Sequence, residues 1–102
     1  MAQVKKEDAL KFLANIEGDK AFYVCNGVVL RNLQETSNCL NILDNKIFEF
    51  HVNKEKNDFY NWIKNVICDA VLANKIKGIK TGKTMAKKID DRINQLKKAL
   101  NK

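Results

Sequence analysis

The spacing of hydrophobic residues changes several times along the chain, and each change marks an element. In residues 5–17, KKEDALKFLANIE, Ala9, Phe12, Leu13 and Ile16 recur at helical spacing, and Gly18 stands where a left-handed residue ends a helix. AFYVCNGVVL then reads as two β-rich runs around Asn26-Gly27, the pair that best tolerates the two positive φ angles of a type I′ turn. Strands are predicted at 21–25 and 28–31. Phe22 and Tyr23 must then face opposite sides of the first strand, so at most one of them meets solvent.

Asn32 opens NLQE, where an Asn cap and Glu35 three residues on satisfy free amides at a helix start. Leu33, Leu40 and Leu43 carry that helix to about residue 43. DNKIFEFHV is ambiguous: Phe48, Phe50 and Val52 alternate as in a strand, whereas Ile47, Phe48, His51 and Val52 share one helical face. We read a short helix capped by Asp44.

NDFYNWIKNVI is the clearest element. With Asn57 or Asp58 as cap, Phe59, Trp62, Ile63, Val66 and Ile67 form one broad apolar stripe, which predicts the centre of the core. Asp69 caps a further helix through Leu72 and Ile76 to Lys77, and Gly78 interrupts it.

The last element spans about 82–100, where Met85, Ile89, Ile93, Leu96 and Leu100 fall within an arc of about 80°. Lys83, Lys87, Lys98 and Lys102 lie opposite. That apolar stripe can cover the chain's own core, grip a partner helix or zip against a second copy. The expected fold is therefore α+β: one small, mostly helical domain over 1–102, with a β-hairpin at about 21–31. Its basic C-terminal helix, within 79–102, either packs back, projects or mediates a homodimer.

Composition adds to this picture mainly through charge. The net charge is +7. Residues 1–70 hold nine Lys and Arg against ten Asp and Glu, which leaves −1, whereas residues 71–102 hold ten against two, which leaves +8. Basicity confined to the last third points to an acidic partner there, nucleic acid being the commonest. No apolar run approaches the roughly 18–20 residues of a membrane span, and Met1 to Lys11 lacks the apolar centre of a secretory signal. The expected compartment is the cytoplasm, with no membrane partner. Cys25, Cys39 and Cys68 are odd in number and widely spaced, which predicts reduced thiols packed as small apolar groups.

KGIKTGKT, Lys77 to Thr84, looks like a phosphate-cradling loop, but the first Gly of that motif falls at Lys77, with Gly78 one place late. Helical sequence precedes it, and only 18 residues follow Thr84, too few for the strand that brings a magnesium ligand. The better reading is a helix break, Gly78 ending one helix and Thr81 capping the next. Three lysines in the first two turns of that next helix oppose its dipole, which keeps a bound anion in play.

His51, with Glu55 and Asp58, has too few ligands for a structural zinc, and a buried, hydrogen-bonded imidazole is the plainer reading. Nothing in the sequence brings a cysteine beside it for nucleophilic catalysis. Trp62, Phe22 and Tyr23 carry the ring types that stack bases, but their spacing assigns them to the core first.

FYVCNGVVLRNLQE and FEFHVNKEKNDFYNWIKNVI resemble a family of small archaeal conserved proteins of unknown function. In that family an aromatic strand, an Asn-Gly or like turn, a Leu-Arg-Asn-Leu segment and a His-Val-Asn…Lys-Asn-Asp-Phe…Asn-Trp-Ile block recur. The resemblance covers roughly residues 21–76, and His51 to Trp62 is its specific part. It implies an archaeal cytosolic origin and a small mixed α/β domain, and it brings no activity. Relatives tend to have Gly-Asp-Glu-Glu where Cys68, Asp69, Ala70 and Val71 stand, a departure that weakens the capping of the 70–77 helix. The shared block implies a polar surface cluster of His51, Asn53, Asn57, Asp58 and Asn61, although helix capping by Asn57 and Asp58 explains part of it.

These readings converge on a non-enzymatic binding module with no cofactor, metal or catalytic residue. It contacts nucleic acid or a ribonucleoprotein through Lys75, Lys77, Lys80, Lys83, Lys87, Lys98 and Lys102. The alternatives are a protein-interaction module using the Met85 to Leu100 stripe and an enzyme using His51 with Asp58.

Overall fold

Five polar side chains each accept a backbone amide at the start of a helix, and they set the architecture. Asn32 accepts from Glu35, Asp44 from Lys46, Asn57 from Tyr60, Asp69 from Leu72 and Thr81 from Thr84. The computed structural model describes residues 4–101. In chain order it has α1 (Lys6–Leu13), a 3-10 turn (Gly18–Lys20), β1 (Phe22–Tyr23), β2 (Val29–Leu30), α2 (Leu33–Ile42) and α3 (Asn45–His51). Then come α4 (Asp58–Trp62), a π-helical turn (Ile63–Ile67), α5 (Ala70–Ile76) and α6 (Gly82–Leu100). The fold is α+β and mostly helical, with one two-stranded antiparallel hairpin. Residues 45–51 are helical, so the helical face of DNKIFEFHV outweighs its alternation.

Three local expectations need correction. α1 stops at Leu13 instead of residue 17. The Ile16 amide donates to the Arg31 carbonyl at 2.6 Å, which holds this segment against the end of β2 and out of the helix. The hairpin turn has three residues, not two. Phe22 pairs with Leu30 and Tyr23 with Val29, and Gly27 N–H closes on the Val24 carbonyl. Only Gly27 takes a positive φ, +96°, so this is the three-residue turn ending in a left-handed residue rather than type I′. Finally, Gly78 leaves room for a side chain and has no left-handed backbone, so the 77–80 break does not depend on it.

α6 organises the core. It packs most extensively on α2, then on α1 and α5. Its buried arc is wider than the predicted stripe, adding Gly82, Ala86, Arg92 and Ala99 to Met85, Ile89, Ile93 and Leu96, while Leu100 is half-buried. Small residues let α2 and α6 come close: Thr36 and Ser37 are buried on α2, and the Ser37 hydroxyl donates to Asp90. A Cβ at Gly82 would lie 3.0 Å from the Leu40 carbonyl oxygen. The glycine of GKT therefore serves helix packing.

A second aromatic layer closes the other side. Phe22 stacks on Phe59 with centroids 4.5 Å apart and meets Trp62 edge-on at 5.7 Å. Trp62 is buried, as expected, and donates from Nε1 to the Lys20 carbonyl; of Phe22 and Tyr23 only Tyr23 is exposed, within the expectation of at most one. The π turn lets Ile63 and Ile67 both bury, leaving Val66 half-buried, and it ends on Cys68 at φ +70°. No helix among the described residues is long and apolar enough to cross a membrane.

Candidate functional site

Folding places the HVNKEKNDFYNW block against the KGIK break. Residues 52–57 form a tight turn: Val52 bridges Asn57, and the Asn53 amide donates to the Lys56 carbonyl at 2.9 Å. The Asn53 side chain braces it, donating to the Glu49 carbonyl and accepting from the Glu55 amide, both at 2.9 Å. Asn57 caps α4 with its oxygen and donates its amide to the carbonyls of Ile76 and Lys77, each at 3.3 Å. That clasp joins the start of α4 to the end of α5.

Between the two joined segments lies a groove of about 700 Å³. Glu49 and the 52–57 turn form one wall, Lys77 to Lys80 form the other, and Tyr60 lies between them. Lys54, Lys56, Lys77 and Lys80 line it against Glu49 and Glu55. The Lys64 and Lys77 ammonium groups stand 5.6 and 5.7 Å from the Tyr60 ring centroid, close enough for cation–π attraction. Tyr60, Lys54, Lys56 and Lys64 were not singled out from sequence. Tyr60 does carry a signal, since it lies at the edge of the Phe59–Ile67 stripe, about 100° from Phe59.

The expected polar surface cluster is mostly scaffold. His51 is buried; its Nε2 accepts the Cys25 amide at 3.1 Å, so its proton sits on Nδ1, which donates to Asp58 at 2.9 Å. Asp58 also receives Lys56 Nζ at 3.0 Å. Both imidazole nitrogens are thus engaged in holding the hairpin tip to α4. Asn61 is exposed and does not line the groove. Among the described residues no group of three His, Cys, Asp or Glu is placed to hold a metal ion. Cys25 and Cys68 are exposed rather than packed; Cys39 is half-buried, and burial pushes its thiol pKa up.

The predicted lysines are exposed where the structure describes them. Lys75, Lys77, Lys80, Lys83, Lys87 and Lys98 reach solvent, as do Lys88 and Lys97, while Lys102 lies outside the described residues. The carboxylates in and beside this segment are largely withdrawn. Asp69 is buried on Arg92, and Asp90 is half-buried and takes the Ser37 hydroxyl. Asp91 is exposed, with Lys87 Nζ at 2.7 Å. That hydrogen bond, together with the nearby charges of Lys88 and Lys75, holds the Asp91 carboxyl below its ordinary pKa and raises Lys87. Lys75 of α5 and Lys87 of α6 therefore belong to one charged surface.

The stripe offered to a partner is spent inside the protomer. Met85, Ile89, Ile93 and Leu96 are at most 2% exposed, and α6 neither projects nor leaves this face open for a zipper. α1 and α2 already occupy it. No protein-family model, curated protein or solved structure matches this chain. The chemistry of the surface accordingly rests on its geometry.

Proposed function

We propose that this protein is a non-enzymatic module that binds nucleic acid, free or within a ribonucleoprotein, through the lysine surface of residues 75–98. The carrying observation is the segregation of charge. Eight lysines of this segment reach solvent, whereas of its two carboxylates Asp90 is half-buried and Asp91 is already matched to a lysine. Its one arginine is engaged internally by Asp69. Lysines on a surface act as point charges toward phosphates, so the contacts are largely independent of sequence and release counterions on binding. Self-association through the 85–100 stripe is no part of this reading, because that stripe is core.

A salt titration tests it. With a fluorescein-labelled 12-nucleotide RNA and matching DNA, binding followed by anisotropy should weaken roughly 100-fold between 50 and 200 mM salt if about five phosphates are engaged. Negligible binding at 50 mM salt, or affinity unchanged at 200 mM, overturns the proposal. An absorbance ratio of the purified protein shifted toward 260 nm is a second expected sign.

A further inference from the structure

We infer that the Tyr60 groove is the place where this surface holds an unpaired nucleotide, so that the protein prefers single strands to duplexes. The inference rests on the nucleic-acid reading above and adds a site to it. Three observations carry it. First, the groove contains an aromatic ring with cations gathered at it: Lys64 and Lys77 stand within 5.7 Å of the centroid of Tyr60, and Lys54 and Lys80 line the same space. Among the described residues, Lys54, Lys77 and Lys80 have no carboxylate within ion-pair distance. A phosphate is the partner that relieves such a gathering, and a base is the partner that stacks on a ring.

Second, both walls are fixed before any ligand arrives. Asn57 clasps the end of α5, and Asn53 braces the 52–57 turn through its side-chain amide. Binding therefore has little backbone to order, which favours affinity. Third, the groove is continuous with the lysine surface. Lys77 and Lys80 belong to its wall, and Lys83 follows in the first turn of α6, with Lys87 one turn on. Between Lys75 and Asp90 this row contains no exposed carboxylate, and Asp91 is the first.

The recessed ring is what selects single strands. Bases in a duplex are stacked on one another, and reaching Tyr60 would require pulling one out. The phosphates of a duplex still meet the α6 lysines, so duplex binding persists at lower affinity. Glu49 and Glu55 leave the groove less cationic than its lysines alone suggest, and their carboxylates can accept from N–H donors on a base edge or from a ribose hydroxyl.

The test compares a labelled 12-nucleotide poly-U RNA with a duplex of equal length at 50 mM salt, for the wild type and Tyr60 variants. Tyr60→Leu keeps apolar bulk against the core and removes the π face; Tyr60→Trp keeps a π face. Expected is tighter binding of the single strand by the wild type. Tyr60→Leu should lose at least fivefold on the single strand, roughly the loss of one base–aromatic stack, with duplex binding unchanged and Tyr60→Trp retaining affinity. Circular dichroism and the Trp62 emission of Tyr60→Leu verify its fold, and Lys77→Gln with Lys80→Gln, both exposed, provides a second route to the same single-strand loss. Equal binding of both forms, or single-strand affinity indifferent to Tyr60→Leu, overturns the groove and leaves the lysine surface standing. Uridine monophosphate competing as well as the 12-mer would overturn the polymer as occupant. Absence of binding to either form overturns both proposals.

Discussion

Arg92 and Asp69, 23 residues apart, form a buried bidentate pair: Nε to Oδ2 at 2.7 Å and Nη2 to Oδ1 at 2.9 Å. Asp69 also caps α5 at the Leu72 amide, and Arg92 reaches Gln95 at 2.8 Å and faces the Phe12 ring. One ion pair thus links α5 and α6 and touches α1. Removing one partner strands a buried charge. Arg92→Ala should cost about 3–5 kcal/mol, a large share of the roughly 5–15 kcal/mol typical of a domain. Urea unfolding followed by Trp62 fluorescence measures it. Asp69→Asn with Arg92→Met should lose less than the two single losses combined; strictly additive losses would contradict a linked pair.

Gly82 touches the Leu40 carbonyl where α6 begins. Gly82→Ala ordinarily favours a helix, but here the added methyl meets backbone oxygen at 3.0 Å. The variant should be destabilised by about 1–2 kcal/mol, since neither helix end yields easily. A stability equal to or above that of the wild type would show that the α2–α6 contact relaxes.

Cys68 is the one non-glycine residue with positive φ among those described. A left-handed backbone costs an L residue about 1–2 kcal/mol, part of which glycine returns through its greater unfolded-state freedom. Cys68→Gly should therefore stabilise by about 0.5–1 kcal/mol. Its thiol makes only long contacts with the Asn65 and Val66 carbonyls, so little is lost. A lower thermal midpoint would contradict this.

Asp91 is the exposed carboxylate inside the lysine surface, and its lowered pKa fixes the sign of its pH dependence. A carboxylate whose folded pKa is depressed adds stability above its ordinary pKa, and that contribution is lost as pH falls through the lowered value. It is fully exposed, so the effect on stability is small. The effect on ligand is the larger one. Asp91→Asn frees Lys87, so affinity for RNA should rise severalfold and the salt slope should steepen by about 0.7 for each added phosphate contact. Weaker binding would place the nucleic acid elsewhere.

Helix starts were legible because capping chemistry is local: Asn32, Asp44, Asn57, Asp69 and Thr81 all sit where sequence put them. Features that depend on distant chain were not. α1 is shortened by Arg31, a residue its own pattern does not contain. Arg92 is buried because Asp69 meets it, although its position on the same side of α6 as Met85 and Leu96 was a usable hint. The lysine surface was legible as composition, but the groove was not, since its walls are 20 residues apart in sequence and are hydrogen-bonded together by Asn57.

The placement of α6 also has a consequence for how the protein comes into being. Synthesis runs from the N-terminus, yet α1 and α2 bury their apolar faces on α6, which is made well after them. Until Met85, Ile89, Ile93 and Leu96 emerge, Ala9, Leu33 and Leu40 lack the residues that cover them. Contacts between elements so far apart in sequence close large loops, a separation that slows folding relative to local helix contacts.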